Sequence, residues 1–271
     1  MYYYAYAAFT NEDKNLKLLG DVKAAVNQSE ITGVESTLSE LRTMRDLVND
    51  AKLQKATTFV VVGDDSTFHE ALRILMENNG IPIGFIPFYP SIIADILGIP
   101  NDPVQAARIL ARRRTVRVPV GMANKRPFFS ALSLKKPIPA NIQEENKRRF
   151  SFRRKAEETL RDVSLRIEGS ISLRANVHNL SIINLATPEL IPPKLRDKNL
   201  PIGEKTFKVI LEEPNAEQQY PASLLLGKKM RLQRLKEGSY FADGVEIGTG
   251  PFDVSFSRKS LKLIVGAARK F

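Results

Sequence analysis

The chain has 271 residues, 43% of them hydrophobic and 26% charged, and no cysteine. That length and balance allow two domains or one large one, each with a real core, and exclude a disulfide framework, thiolate metal sites and a cysteine nucleophile. A net charge of +11 favours polyanionic partners (nucleic acid, an anionic membrane surface or phosphorylated substrates) without choosing among them.

The opening residues 1–9 are rich in tyrosine and alanine but lack a basic flank, so they read as a first strand rather than a signal peptide. No stretch approaches the ~20 apolar residues of a membrane span. The expectation is a cytoplasmic protein. Residues 15–27 then place Leu16, Leu19, Val22 and Val26 at helical spacing. Residues 36–51 repeat the pattern with Leu38, Leu41, Met44, Leu47 and Val48, and Ser36 or Ser39–Glu40 offer capping groups.

The pattern changes at Thr57–Val62, a β-branched run with no polar side, as expected of a strand buried on both faces of a parallel sheet. It stops at Gly63-Asp64-Asp65-Ser66-Thr67. A helix follows through Phe68, Ala71, Leu72, Leu75 and Met76, and Gly80 suits a left-handed cap at its end. A second apolar strand spans residues 81–87. Strand, loop, helix and strand make a βαβ unit with a right-handed crossover. Residues 91–97 and 104–111 read as helices, the second started by Asp102 and Pro103.

Beyond about Thr115 short strand-like segments dominate, at 128–134, 163–167, 171–174, 180–185, 206–211, 223–226, 230–235, 252–256 and 261–265. The expected architecture is an α/β N-terminal domain over residues 1–115, with a Rossmann-like, mostly parallel sheet, and a β-sandwich-like domain over 116–271. Residues 137–155 read as a basic loop. Its run 147–155 holds six basic residues with Phe150 and Phe152 among them. Such a run suits an anionic bilayer, single-stranded nucleic acid or a plain solvated loop.

A buried strand that ends in glycine and opens a helix makes a phosphate site, because the first helical N–H groups are unpaired and the helix dipole attracts anions. At this point the residues resemble a family. Residues 60–72 are similar to the strand, Gly-Gly-Asp-Gly-Thr loop and helix of diacylglycerol kinase catalytic domains, a family grouped with sphingosine kinases and, more remotely, NAD kinases. Residues 81–88, the Leu97-Gly98-Ile99-Pro100 run, 102–107, 117–130 and 241–248 resemble the later motifs in order.

The resemblance implies phosphoryl transfer from ATP with Mg²⁺ to a lipid hydroxyl, diacylglycerol being the commonest acceptor, by an enzyme that meets its substrate at a membrane. It implies Gly63, Asp64, Ser66 and Thr67 as nucleotide-binding residues. Asp65 would be a catalytic residue and metal ligand, Asp243 a second ligand and Glu246 a second catalytic group.

The departures bear on activity. Asp64 and Ser66 replace two glycines. A carboxylate ~4 Å from a phosphate charge is repelled by about 1 kcal/mol in water and about 4 at an effective dielectric of 20. Tyr89-Pro90-Ser91-Ile92-Ile93 stands where the family has Gly-Thr-Gly-Asn-Asp, and Pro90 has no N–H to donate. Val245 holds the usual Glu position, with Glu246 one residue late. The alternative reading is therefore a catalytically inactive pseudokinase that acts as a membrane- or macromolecule-binding module. NAD kinase chemistry fits the motifs less well, and nucleic-acid binding rests on charge alone. The plainer structural roles are a helix N-cap for Asp65 and a hairpin turn for Asp243-Gly244. His69 and His178 read as packed or surface side chains, and two histidines without cysteine argue against zinc.

Overall fold

The computed structural model describes residues 1–78, 81–135, 160–186, 191, 205–212, 222–234 and 239–271. The basic run 147–155 and Gly80 lie outside these residues. The chain divides into two compact units. The first is Met1–Val118 with Lys259–Lys270, and the second Pro119–Arg258 with Phe271.

The first unit runs β1 (Tyr2–Tyr6), α1 (Leu16–Gln28), β2 (Gly33–Thr37), α2 (Met44–Leu53), β3 (Thr58–Gly63), α3 (Asp65–Asn78), β4 (Ile83–Pro87), α4 (Ile92–Leu97) and α5 (Pro103–Ala111). Its strands lie in the order β2-β1-β3-β4 and are all parallel. Every residue of β1 and β3 is buried, as the unbroken apolar run in β3 requires. Tyr2, Tyr4 and Tyr6 stack along one face of β1, while Tyr3 on the other face stacks on Phe59 at 5.7 Å. Three of the four hydroxyls reach polar partners beyond the apolar ring: Tyr3 donates to Asp50 at 2.7 Å, and Tyr2 and Tyr4 donate to the carbonyls of Leu110 and Ile31. Burial pushes the Tyr4 and Tyr6 hydroxyls well above the usual tyrosine range.

The helix expected over 36–51 is corrected here. Residues up to Thr37 pair with β1 residue for residue, and the helix starts only at Met44. Thr43 caps it through a reciprocal box with Asp46. Leu38 and Leu41 imitated helical spacing, but both precede the helix, and Leu41 is 97% exposed. β2 is an edge strand with only Ser36 fully buried, so it offers little apolar alternation to read.

The second unit takes the end of β5 (Thr115–Ala123), then β6 (Arg126–Phe128), β7 (Ala131–Ser133), β8 (Arg161–Ile167), β9 (Ile171–Val177), β10 (Asn179–Ile183), β11 (Phe207–Glu212), β12 (Ala222–Gly227), β13 (Lys229–Arg234), β14 (Tyr240–Ala242), β15 (Val245–Gly248) and the start of β16 (Phe252–Ile264). The antiparallel neighbours β9-β8-β13-β16 and β12-β11-β10-β7-β14-β15 share one core, which includes Leu165, Ile182, Phe207, Leu232, Tyr240 and Phe252. The single strand expected at 128–134 is broken at Phe129–Ser130. The two expected at 252–256 and 261–265 are one, β16. Its end belongs to the first unit, where Leu263 pairs in parallel with Ile83 of β4. Among the described residues no helix is long and apolar enough to cross a membrane.

Candidate functional site

The order β2-β1-β3-β4 locates a crevice. The chain leaves β1 toward one edge of the sheet and β3 toward the other, so the connections at the carboxyl ends of β1 and β3 diverge. Open α/β sheets bind ligands at that point. Gly63 ends β3 there, followed by Asp64 and the start of α3. A Cβ on Gly63 would meet the Ala7 and Thr67 side chains at 3.0 Å, so glycine lets β1, β3 and α3 converge.

The helix cap expected of Asp65 is supplied by Asp64. Its Oδ1 accepts the Thr67 N–H at 2.9 Å, the Thr67 hydroxyl at 2.6 Å and the Ser66 hydroxyl at 2.8 Å. An aspartate in this position is a strong N-cap. Asp65 is the first helical residue, and its carboxylate turns to the next loop. It accepts a short hydrogen bond from the Ser91 hydroxyl and the Ile92 N–H at 3.1 Å. Ser91 in turn caps α4 by accepting the Ala94 N–H at 2.9 Å, while its own N–H donates to Asn101 Oδ1 at 2.9 Å. Asn101 completes the chain by donating to Asp95 at 2.7 Å.

Thus Gly63, Asp64, Asp65, Ser66 and Thr67 do come together, joined by Ser91 and Asn101, which the sequence reading did not single out. The readable signal was Ser91 itself, a capping residue directly before the apolar start of α4. Phe9 and Tyr89 flank this region. Their rings stack at 5.2 Å, with Phe88 edge-on to Phe9. His69 is buried within α3, 5% exposed.

This donor set does not fit a triphosphate. The Thr67 N–H and the Ser66 and Thr67 hydroxyls already serve Asp64, and the first N–H of α4 already serves Asp65. Among the described residues no group of three or more His, Asp or Glu is placed to hold a metal ion.

Asp243 and Glu246 lie in the second unit. Asp243 and Gly244, both at positive φ (49° and 83°), form a two-residue turn between β14 and β15 with Ala242 paired to Val245. The buried Asp243 carboxylate accepts the N–H groups of Phe129 at 2.6 Å, Ser130 at 2.6 Å and Ala131 at 3.1 Å. It therefore ties the hairpin to the break between β6 and β7. The hairpin does contain an irregularity, but it falls between Tyr240 and Phe241, opposite the residues after Glu246. Glu246 is exposed and accepts a short hydrogen bond from the Ser239 hydroxyl. His178, also in this unit, is buried with Nε2 against the Lys135 ammonium.

Residues 8–123 match the sequence profile of the diacylglycerol kinase catalytic domain. Among solved structures, a diacylglycerol kinase from Bacillus anthracis str. Sterne is 12% identical, with a TM-score of 0.73 over 98% of this chain and 97% of that one. An NAD kinase from Archaeoglobus fulgidus in complex with ATP gives 0.59 at 13% identity, over 99% and 95%. Yeast NADH kinase complexed with NADH gives 0.56 at 10% identity, over 99% and 84%. The fold is thus that of diacylglycerol kinases and, more remotely, of NAD kinases. A search of curated proteins finds no match.

Proposed function

We propose that this chain is a pseudokinase: a diacylglycerol kinase-like scaffold that has given up nucleotide chemistry and works by binding. The observation behind the proposal is the Asp64 carboxylate on Thr67. A helix start attracts an anion to its free N–H groups, and here the anion is the protein's own side chain. An incoming phosphate would have to displace that carboxylate and then sit beside its charge. The loss of the Gly-Thr-Gly-Asn-Asp motif points the same way, since Ser91 and the α4 N-terminus are tied to Asp65 and Asn101.

A second reading is a weakened lipid kinase acting with ATP and Mg²⁺ on diacylglycerol or another lipid hydroxyl. It is favoured by Asp65, a carboxylate of the family loop that is half-buried and fixed in place at the crevice.

Calorimetric titration with ATP, with and without Mg²⁺, separates the two. The wild-type chain is expected to show no binding at millimolar ATP, whereas Asp64→Gly/Ser66→Gly should gain Mg²⁺-dependent binding. Glycine at an N-cap costs only a few tenths of a kcal/mol relative to aspartate, so the variant should stay folded. Mg²⁺-dependent binding by the wild type that disappears in Asp65→Ala would overturn the pseudokinase reading and put lipid acceptors next in line.

A further inference from the structure

One sheet face of the second unit is polar and carries charge mainly of one sign. In the neighbours β9-β8-β13-β16, alternate residues such as Val163, Leu165, Met230, Leu232 and Val254 enter the core, so the residues between them face away from it. On that outer side Arg166, Arg174, Lys229 and Arg231 are exposed. Arg166 is at the centre of the group. It is registered directly on Arg231 of β13 and, on its other side, on Ser172 of β9. Arg174 and Lys229 each lie two residues along from those partners, which places them diagonally from Arg166 at about 7–8 Å.

Like charges directly opposite on a sheet destabilise it, and little among the described residues offsets them. Asp253, registered on Arg231, lies 4.0 Å from its Nε, but both side chains are largely exposed, so the pair contributes little. Glu168, just past the end of β8, accepts the Lys228 N–H at 3.1 Å. Asp162, at the other end of β8, is registered on Asn176. Arg166, Arg174 and Lys229 make no ion pair among the described residues. The outward positions around them hold Ser164, Ser172, Asn176 and Gln233, with no aromatic or aliphatic side chain.

We infer that this face binds the sugar-phosphate backbone of a nucleic-acid duplex without reading its sequence. Arginine, lysine, serine, asparagine and glutamine are the side chains that donate to phosphate and sugar oxygens, and a guanidinium matches a phosphate with two parallel hydrogen bonds. The character of the face argues against other anionic partners. A protein interface is built around an apolar or aromatic centre, and this face has none. It has no apolar side chain to enter a bilayer and no ring on which the bases of a single strand could stack. The face lies wholly in the second unit, so the inference holds whether or not the first unit binds nucleotide.

The test is fluorescence anisotropy of the whole chain with labelled duplexes of two unrelated sequences over a range of NaCl concentrations. Both duplexes should bind with equal affinity. The logarithm of the binding constant should fall with the logarithm of salt at a slope of about −3.6, or about −0.9 for each of the four cations. Arg166→Gln/Arg174→Gln should weaken both duplexes alike and flatten the slope by about 1.8. Arg117→Gln/Lys262→Gln removes the same charge from exposed positions of the first unit and should leave the slope unchanged. Near-ultraviolet dichroism of both variants checks that they are folded. Absence of binding at low salt, an unchanged slope in folded Arg166→Gln/Arg174→Gln, an equal loss in Arg117→Gln/Lys262→Gln, or displacement of the duplex by polyglutamate at matched charge would overturn the inference.

Discussion

A carboxylate at position 64 does two opposed things. It closes the start of α3 by accepting from Thr67 and Ser66, and in the function proposed above its negative charge opposes a phosphate at the same place. Asp243 is a second case in which a residue of apparent chemical promise is occupied. Its carboxylate takes three buried N–H groups, from Phe129, Ser130 and Ala131. Hydrogen bonds to a charged acceptor contribute roughly 1.5–3 kcal/mol each, and they do not simply add. Asp243→Ala should therefore destabilise the second unit by about 3 kcal/mol or more, and Asp243→Asn by less because one acceptor oxygen survives. Urea unfolding monitored by near-ultraviolet dichroism would show this. An unchanged midpoint would mean that Asp243 is not the tie described above. Both aspartates were visible as candidates in the sequence. The partners of Asp243 were not, because Phe129 lies 114 residues away, and neither was the partner of Asp65, since Ser91 lies 26 residues from it.

At the scale of elements, side-chain capping marks where four of the first unit's five helices begin, α1 being the exception. Asp102 caps α5 by accepting the Val104 and Gln105 N–H groups at 2.8 and 3.2 Å, with Pro103 in the first turn, as its sequence implies. Burial raises the Asp102 carboxyl, but hydrogen bonds from Gln105 and Val104 and the Arg108 charge outweigh it, and the net effect holds it below the usual value of 3.8. A carboxyl depressed by folding adds stability that is fully present above its unfolded pKa. That stability is lost as pH falls through the folded one. Asp102→Asn keeps a competent cap without a titrating group. Its stability should therefore fall less steeply than that of the wild type below about pH 4, measured by urea midpoints at successive pH values. A slope identical to the wild type would assign the acid sensitivity to other carboxylates. Asp102→Ala should cost about 1 kcal/mol at neutral pH through the lost cap. β2 and α2 show where sequence patterns mislead. Leu38 and Leu41, in the break at residues 38–43, share a helical rhythm with Met44 and Leu47, although pairing with β1 makes the residues just before them a strand.

The whole molecule is two units, one of which is assembled from both ends of the chain. Leu261, Leu263, Ile264 and Val265 of the final segment are all buried. At roughly 1.5–3 kcal/mol per fully buried aliphatic side chain, these four together approach the entire stability of an ordinary domain. A chain ended at Arg258 should therefore fail to fold its first unit, seen as rapid proteolysis of residues 1–118 while the second unit persists. Survival of both units would mean that β4 does not need its β16 neighbour.

Local chemistry alone determined much of this protein. The unbroken run in β3 announces a doubly covered parallel strand. Gly63 marks its end, Asp102-Pro103 the start of α5, and Asp243-Gly244 a tight turn. The ordered motifs from residue 60 to residue 248 announce the kinase-like fold. Each of these is a pattern within a few residues, where side-chain period, φ preference and capping act directly. What the tertiary structure decided involves partners far apart in the chain. It turned Asp65 toward Ser91, gave the cap to Asp64, buried Asp243 against Phe129, and returned Lys259–Lys270 to the first unit. Which donor meets which acceptor depends on how strands cross and where loops converge, and a one-dimensional pattern does not contain those distances.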